Sequence, residues 1–358
     1  MKAAVITSKG LGDGLIMTVL AQHLVKLNYS VDIFNPHLEE LKEWFPDYNF
    51  KKKAEHLNIW KDKNTKDTDT DIAIDTADDE NADILKKTTK QPAEHSEKQP
   101  VNYEQLANYD WVFCQHSNTP FVEELKKNRQ KLKRLSLVYA SFNPQRHYPL
   151  NPDDFVCHND LPLADSLQIM GKEFFKLENS TKETGLKIPA HLTFQKYQKR
   201  LLIHPTSTCP TRTWDKQKYL YFARKLKNQG YEIVFVMHPE ERQAWKKFIP
   251  QDFILPAFHD LNTLASYIYE SAALIGNDSG PVHLASLLNL PTLIITNDPK
   301  RLILWQPGWK KAFFAFPPKW VPNFKFLRLK LNHWQKFTSV GQISKAFTQL
   351  KLTNHPPF

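Results

Sequence analysis

The chain alternates short apolar runs with stretches of helical periodicity, and the alternation occurs twice. Ala3 to Thr7 is an apolar run of the length expected for a buried strand. Asp13 to Leu27 then carries Leu15, Ile16, Val19, Leu20, Leu24 and Leu27 at helical spacing. Val31 to Phe34 predicts a second strand, and Leu38 to Phe45 a short helix closed by Pro46. Strands are expected at Tyr109–Cys114 and Leu135–Tyr139, with helices at Phe121–Lys127 and around Pro162–Leu177. This β-α-β order favours a parallel sheet with helices on both faces.

The pattern resumes after the polar stretch Glu178–Lys199. Strands are predicted at Arg200–His204, Tyr231–Met237, Ala272–Gly276 and Thr292–Thr296. Between them lie helices at Lys216–Gln229, stopped by Gly230, at Leu261–Ser271, and at Pro281–Leu288 with proline in its first turn. The economical architecture is α/β, two Rossmann-like halves with a cleft between them. The expected boundaries are a first domain at 1–178, a linker at 179–199, a second domain at 200–335, and a C-terminal helix and tail at 336–358. Whether that tail crosses back to the first domain is left open. Residues 61–100 break the pattern: they contain no aromatic side chain, with 11 acidic and 7 basic ones in a Thr/Asp/Lys-rich string. So little apolar area cannot offset ordering entropy, so a low-complexity surface insertion is expected, with at most a short strand at Asp71–Ile74.

Composition narrows the class. At 358 residues and 41% hydrophobic content the chain is too long and too apolar for disorder. Its three cysteines, Cys114, Cys157 and Cys209, are widely spaced without a C-x-x-C pair, which argues against a disulfide framework or a cysteine zinc site. No apolar run approaches the ~18–20 residues that span a bilayer, and the N-terminal run is too short for a signal-peptide core. A reduced, cytoplasmic protein is expected. The net charge of +10 points to anionic partners, but no nucleic-acid-binding motif accompanies it.

Glycine is scarce, ten residues in all, and five of these fall in two strand-to-helix turns. The first turn is Gly10-Leu11-Gly12-Asp13-Gly14. It lacks the third-glycine spacing of a dinucleotide fingerprint, and Asp13 would repel a phosphate docked there. Two readings of Asp13 are open: a helix cap, or a general base accepting a proton from a hydroxyl. The second turn is Gly276-Asn277-Asp278-Ser279-Gly280-Pro281-Val282-His283. Backbone N–H groups at Ser279 and Gly280 would form an anion site at a helix start, with His283 in reach of the same ligand. Between the two turns, Thr206, Ser207 and Arg212 follow a strand end with the chemistry of a diphosphate clamp. Glu240 and Glu241 follow another strand end, where a carboxylate either bonds ribose hydroxyls or simply opens a helix. No metal-ligand spacing appears, and no metal is expected.

Taken together, these motifs resemble glycosyltransferase family 9, the ADP-heptose:lipopolysaccharide heptosyltransferases. The strongest match is Gly276 to Ala285 followed by Leu290-Pro291-Thr292. Gly10-Leu11-Gly12-Asp13 with Thr18, and His204-Pro205 through Arg212 and Trp214, support it. Arg212 stands where the family often has lysine. The resemblance implies a GT-B fold, two Rossmann-like domains facing an interdomain cleft. It implies metal-independent, inverting transfer from ADP-heptose as co-substrate, with no cofactor, to an anionic glycolipid of the Kdo–lipid A type. Asp13 would be the catalytic base, with Gly10 and Gly12 forming the acceptor-side loop. Thr206, Ser207, Arg212, Ser279 and Gly280 would hold the diphosphate. Glu240 or Glu241 would hold the ribose, and Asp278 and His283 the sugar or diphosphate. The alternatives are a GT-B enzyme using another nucleotide sugar, and a catalytically weak carbohydrate-binding or membrane-adaptor relative.

The charge is local. Residues 299–358 hold eleven Lys and Arg and no Asp or Glu, interleaved with Trp305, Trp309, Phe313, Phe314, Trp320, Phe324 and Trp334. Basic and aromatic residues together suit an anionic membrane surface, so a peripheral place on the inner face of the inner membrane is expected. A packed tail with a solvated basic face is the other reading.

Overall fold

The computed structural model describes residues 1–51, 59, 60, 103–147, 149–207, 209–297, 299–323, 329–350 and 352. The 61–100 insertion, with the strand expected at Asp71–Ile74, lies outside the described residues.

Two wholly parallel sheets form the scaffold. The first is built from β1 (Lys2–Ile6), β2 (Ser30–Phe34), β3 (Tyr48–Phe50), β4 (Trp111–Gln115), β5 (Leu135–Tyr139) and β6 (Phe155–Val156) in the order β3-β2-β1-β4-β5-β6. The second contains β7 (Tyr197–His204), β8 (Glu232–Phe235), β9 (Ser271–Asn277), β10 (Thr292–Ile295) and β11 (Phe313–Ala315) in the order β11-β10-β9-β7-β8. Strand order reverses direction between β1 and β4 in the first sheet, and between β7 and β9 in the second. Open parallel sheets bind ligands beyond the carboxyl ends of strands at such switch points. Each domain therefore places its candidate motif where the topology leaves a crevice, and the fold is GT-B.

Eight described helices have eight residues or more: α1 (Leu11–Lys26), α2 (Pro120–Lys127), α3 (Leu163–Glu173), α4 (Lys216–Asn228), α5 (Pro239–Lys246), α6 (Leu261–Tyr269), α7 (Gly280–Leu287) and α8 (Val340–Thr348). One apolar cluster includes Leu15, Val19 and Leu20 of α1 together with Val282, Leu284 and Ala285 of α7, so the core continues across the domain boundary. Polar braces flank it. The buried Trp44 donates Nε1–H to Asn262 Oδ1 at 2.7 Å, and Glu40 accepts from the Leu261 N–H at 2.9 Å. Lys182 bridges Asp165 and the Gly308 carbonyl at 2.8 and 2.6 Å, while Trp309 Nε1–H returns to the Lys182 carbonyl.

The expected helix at Leu38–Phe45 is instead one 3₁₀ turn, Leu38–Leu41, followed by further turns. The braces from Glu40 and Trp44 to α6 tie this segment to the other domain. The aromatic side chains of the tail divide between the interior and the surface. Trp334 is fully buried and Trp305 nearly so, leaving Trp320, 73% exposed, as the one well-exposed tryptophan among the described tail residues. Helix α8 packs on β10, β11 and α4, so the described part of residues 336–358 stays with the second domain.

Candidate functional site

The site forms where the starts of α1 and α7 meet. Their approach is close, with a glycine on each side of the contact. A Cβ at Gly12 would lie 3.0 Å from His283 Cδ2, and one at Gly280 would lie 2.8 Å from Leu11 Cβ. Neither helix start carries a side-chain cap: Gly10 and Ser279 occupy the cap positions without side-chain bonds to the helix. Helices α2, α4, α5, α6 and α8 are capped by side chains, and α3, opening after Pro162, is not. An uncapped start leaves backbone donors for a ligand.

On the first side, Asp13 sits in the opening turn of α1 and accepts a 2.7 Å hydrogen bond at Oδ1 from Gln115 Nε2. Gln115 closes β4, is buried, and accepts at Oε1 from the Ser8 N–H at 3.0 Å. The loop carrying Gly10 is pinned by buried Asn35, whose Nδ2 donates to Thr7 Oγ1 and the Gly10 carbonyl at 2.8 and 3.2 Å. Asn35 Oδ1 in turn accepts from the N–H groups of His37 and Leu38. Beyond β4 and β5, His116 stacks on Tyr139 at 4.2 Å with His147 edge-on at 4.8 Å. Burial, with help from His147 and Lys126, pushes His116 down to about 3, so it is neutral.

On the second side, Asp278 lies 3.9 Å from Arg212 and 3.8 Å from His283 Nε2, all three largely buried. His283 Nδ1 is buried without a hydrogen-bond partner. Asn277 Oδ1 accepts from the Trp214 N–H and from Tyr219 O–H, each at 3.0 Å, tying the Arg212 loop to the end of β9. Burial opposes ionisation of Cys209, but bonds from Thr211 and Arg212 outweigh it and bring the thiol below its ordinary range. His204 is buried and held neutral, its Nδ1–H bonded to the Val236 carbonyl at 2.9 Å, so it contributes no charge to an anion.

Most expected site residues converge here, with two differences. Thr206 Oγ1 donates to Glu241 Oε2 at 2.8 Å, so these two act as a unit. Glu241 also accepts from the His238 N–H, completing a capping box for α5. Glu240, one residue earlier, has a side chain 90% exposed, 3.9 Å from His238 Nδ1. Ser207 Oγ accepts from the Cys209 N–H at 3.4 Å inside the loop, and Ser279 Oγ donates to the Asn277 carbonyl.

Four contributors were not anticipated: Asn35, Gln115, Asn277 and Trp334. Trp334 Nε1–H donates to the Thr211 carbonyl at 2.8 Å, and Trp214 Nε1–H to the Thr338 carbonyl at 3.1 Å, so the tail supports the Arg212 loop. Among the described residues no group of three or more His, Cys, Asp or Glu is disposed to hold a metal ion.

Residues 175–307, which contain the Arg212 loop, Asp278 and His283, match the family model of glycosyltransferase family 9 (heptosyltransferase). The chain carries this family's domain over that segment. It is a glycosyltransferase. No curated protein matches it in sequence. Among solved structures, E. coli ADP-heptose LPS heptosyltransferase II aligns with a TM-score of 0.63 at 14% identity, covering 99% of both chains. A family 9 glycosyltransferase from Veillonella parvula gives 0.61 at 17%, covering 99% of this chain and 98% of that one. The E. coli heptosyltransferase WaaC with ADP gives 0.60 at 12%, covering 98% and 100%. At such identities the structural likeness speaks to the fold. Among the described residues no helix is long and apolar enough to cross a membrane.

Proposed function

We propose that the protein transfers a heptosyl residue from ADP-heptose to an inner-core lipopolysaccharide acceptor, with inversion and with Asp13 as general base. One observation carries this reading. The Asp13 turn stands directly against the α7 start, beside the Arg212–Asp278–His283 cluster, so a base and an anion-binding helix end share one cleft. The acceptor oxygen attacks the anomeric carbon, its proton passes to Asp13, and the bond to the diphosphate breaks as ADP leaves. Arg212, Ser207 and the backbone donors at Ser279 and Gly280 would stabilise the leaving diphosphate. Thr206 would act with Glu241, which is better placed than Glu240 for the ribose hydroxyls. Asp278 and His283 would orient the sugar or diphosphate. The choice of ADP-heptose draws support from the heptosyltransferases that share the fold, one of them holding ADP.

The test is ADP release from ADP-heptose by the purified protein, with and without a Kdo–lipid A acceptor. Acceptor-dependent release that is lost in Asp13→Asn is expected. No turnover, or undiminished turnover in Asp13→Asn, would refute the mechanism, and a preference for UDP-sugars would change the donor.

The same reading sets the enzyme peripherally against an anionic inner-leaflet surface, supported by eleven basic and no acidic residues in 299–358 and by exposed Trp320. Sedimentation with anionic liposomes at low salt, diminished in Trp320→Ser, checks it. Failure to sediment removes the membrane from the proposal.

A further inference from the structure

The Gln115 side chain occupies an unusual position. It reaches from the end of β4, across the switch point beside β1, to the opening turn of α1. Its amide orientation is fixed chemically. The Ser8 N–H can only donate, so the atom facing it at 3.0 Å must be Oε1. Nε2 then necessarily faces Asp13 Oδ1, at 2.7 Å. Nε2 can only donate as well, so this contact favours the state in which the Asp13 oxygen is a full acceptor, the ionised carboxylate.

We infer that Gln115 is the positioning residue of the base, a neutral clamp whose amide, locked by the Ser8 backbone, fixes the rotamer of Asp13 and keeps its carboxylate ready to take a proton. This rests on the reading of Asp13 as general base. A neutral donor suits the task better than a cation would. An arginine or lysine would also orient the carboxylate, but an ion pair would hold the charge against protonation far more strongly. The clamp is rigid because each part is anchored. Gln115 is 5% exposed, and Asn35 fixes the carbonyl side of the Gly10 loop. A base held within a few tenths of an ångström of its working position is what proximity catalysis requires.

The test compares Gln115→Glu and Gln115→Leu with wild type by two readouts. The first is the pH profile of kcat together with KM for the nucleotide sugar. The second is the titration of the Asp13 carboxyl followed by NMR in ¹³C-aspartate-labelled protein, the resonance being assigned by its absence in Asp13→Asn. Gln115→Glu keeps an acceptor for the Ser8 N–H but sets a carboxylate against Asp13. Its acid limb and its Asp13 titration are expected to move to higher pH. Gln115→Leu removes the donor while preserving bulk. It is expected to lose ~10-fold to 10²-fold in kcat, with KM for the nucleotide sugar unchanged and the Asp13 titration again moved upward. The charged groups of the facing helix start, Asp278, His283 and Arg212, and every other partner of Asp13 are intact in both variants, so a shift reports on Gln115. Melting temperature and ADP affinity verify that each variant is folded. An Asp13 titration that coincides with wild type in the folded variants overturns the inference, because a merely structural glutamine would change melting alone. Wild-type protein that turns over no ADP-heptose refutes the donor reading, and the titration comparison still decides this one.

Discussion

Two aspartates stand at the openings of facing helices, and their surroundings make them different chemical groups. Asp13 begins α1 and is held by the uncharged amide of Gln115. Asp278 precedes α7 and lies between Arg212 and His283, at 3.9 and 3.8 Å. On the reading proposed above, the amide bond orients one carboxylate toward an acceptor hydroxyl, whereas the other holds Arg212 in place. The same side chain would serve two purposes because its neighbours differ. The largest expected consequence is kinetic. Asp13→Asn should lower kcat by about 10³-fold with KM for the nucleotide sugar unchanged, the signature of an interaction made in the transition state. Asp278→Asn should instead raise that KM, by roughly 10-fold, because it releases Arg212 from its place. Steady-state kinetics on the two variants decides the comparison, and equal kcat losses would erase it.

The next effect tests the cationic side directly. Arg212→Met keeps much of the side-chain volume but removes the charge that would meet the leaving diphosphate, and it leaves Asp278 without that counter-ion. A fall of about 10²-fold in kcat/KM is expected. Arg212→Lys should recover part of it, since the point charge returns without the planar fork. Measuring kcat/KM for both against wild type checks the order. A methionine variant as active as the lysine variant would mean that the diphosphate is held elsewhere.

How much of this was legible in the sequence follows from the kind of signal each element leaves. The central strands announce themselves as apolar runs, and Leu135–Tyr139 appears where the pattern puts it. The edge strands Tyr48–Phe50, Phe155–Val156 and Phe313–Ala315 do not, since two or three residues carry no periodicity. The Asp13 and Asp278 turns were visible because glycines are few and cluster there. Gln115 was invisible: the apolar run ends at Cys114, and one polar residue past a strand leaves no pattern. Trp334 misled more actively. Read beside lysines it suggested a lipid surface, yet tertiary packing buries it behind the Arg212 loop.

That burial yields a smaller, separable effect. Trp334→Phe retains most of the packing and deletes only the bond to the Thr211 carbonyl, costing about 1 kcal/mol. Because the bond ends on the loop that carries Arg212, the expected outcome is a modest drop in melting temperature with a few-fold rise in KM for the nucleotide sugar and little change in kcat. Thermal denaturation and kinetics on one preparation distinguish this from a general loss of stability. A changed melting temperature with unchanged KM would detach the tail from the site.

The smallest effects probe the contact that brings the two aspartates into one cleft. Alanine is a better helix former than glycine by up to ~1 kcal/mol, less in a first turn, so each glycine here gives up a little helix stability for close approach. In Gly12→Ala the new methyl meets the edge of the His283 ring at 3.0 Å, and a few tenths of an ångström of ring movement relieves it. Its melting temperature should stay within a degree or two of wild type, while turnover falls about threefold as the His283 ring is displaced. In Gly280→Ala the methyl meets Leu11 Cβ at 2.8 Å, an atom fixed to the α1 backbone, so the helices themselves must separate. That substitution should cost about 1–3 kcal/mol by overpacking and affect turnover more than Gly12→Ala does. The ranking discriminates between two roles for the contact. If apposition of the helix starts governs catalysis, activity follows the rigidity of the atom that each methyl strikes. Equal effects from both variants would mean that the domains meet here without setting the distance between base and donor.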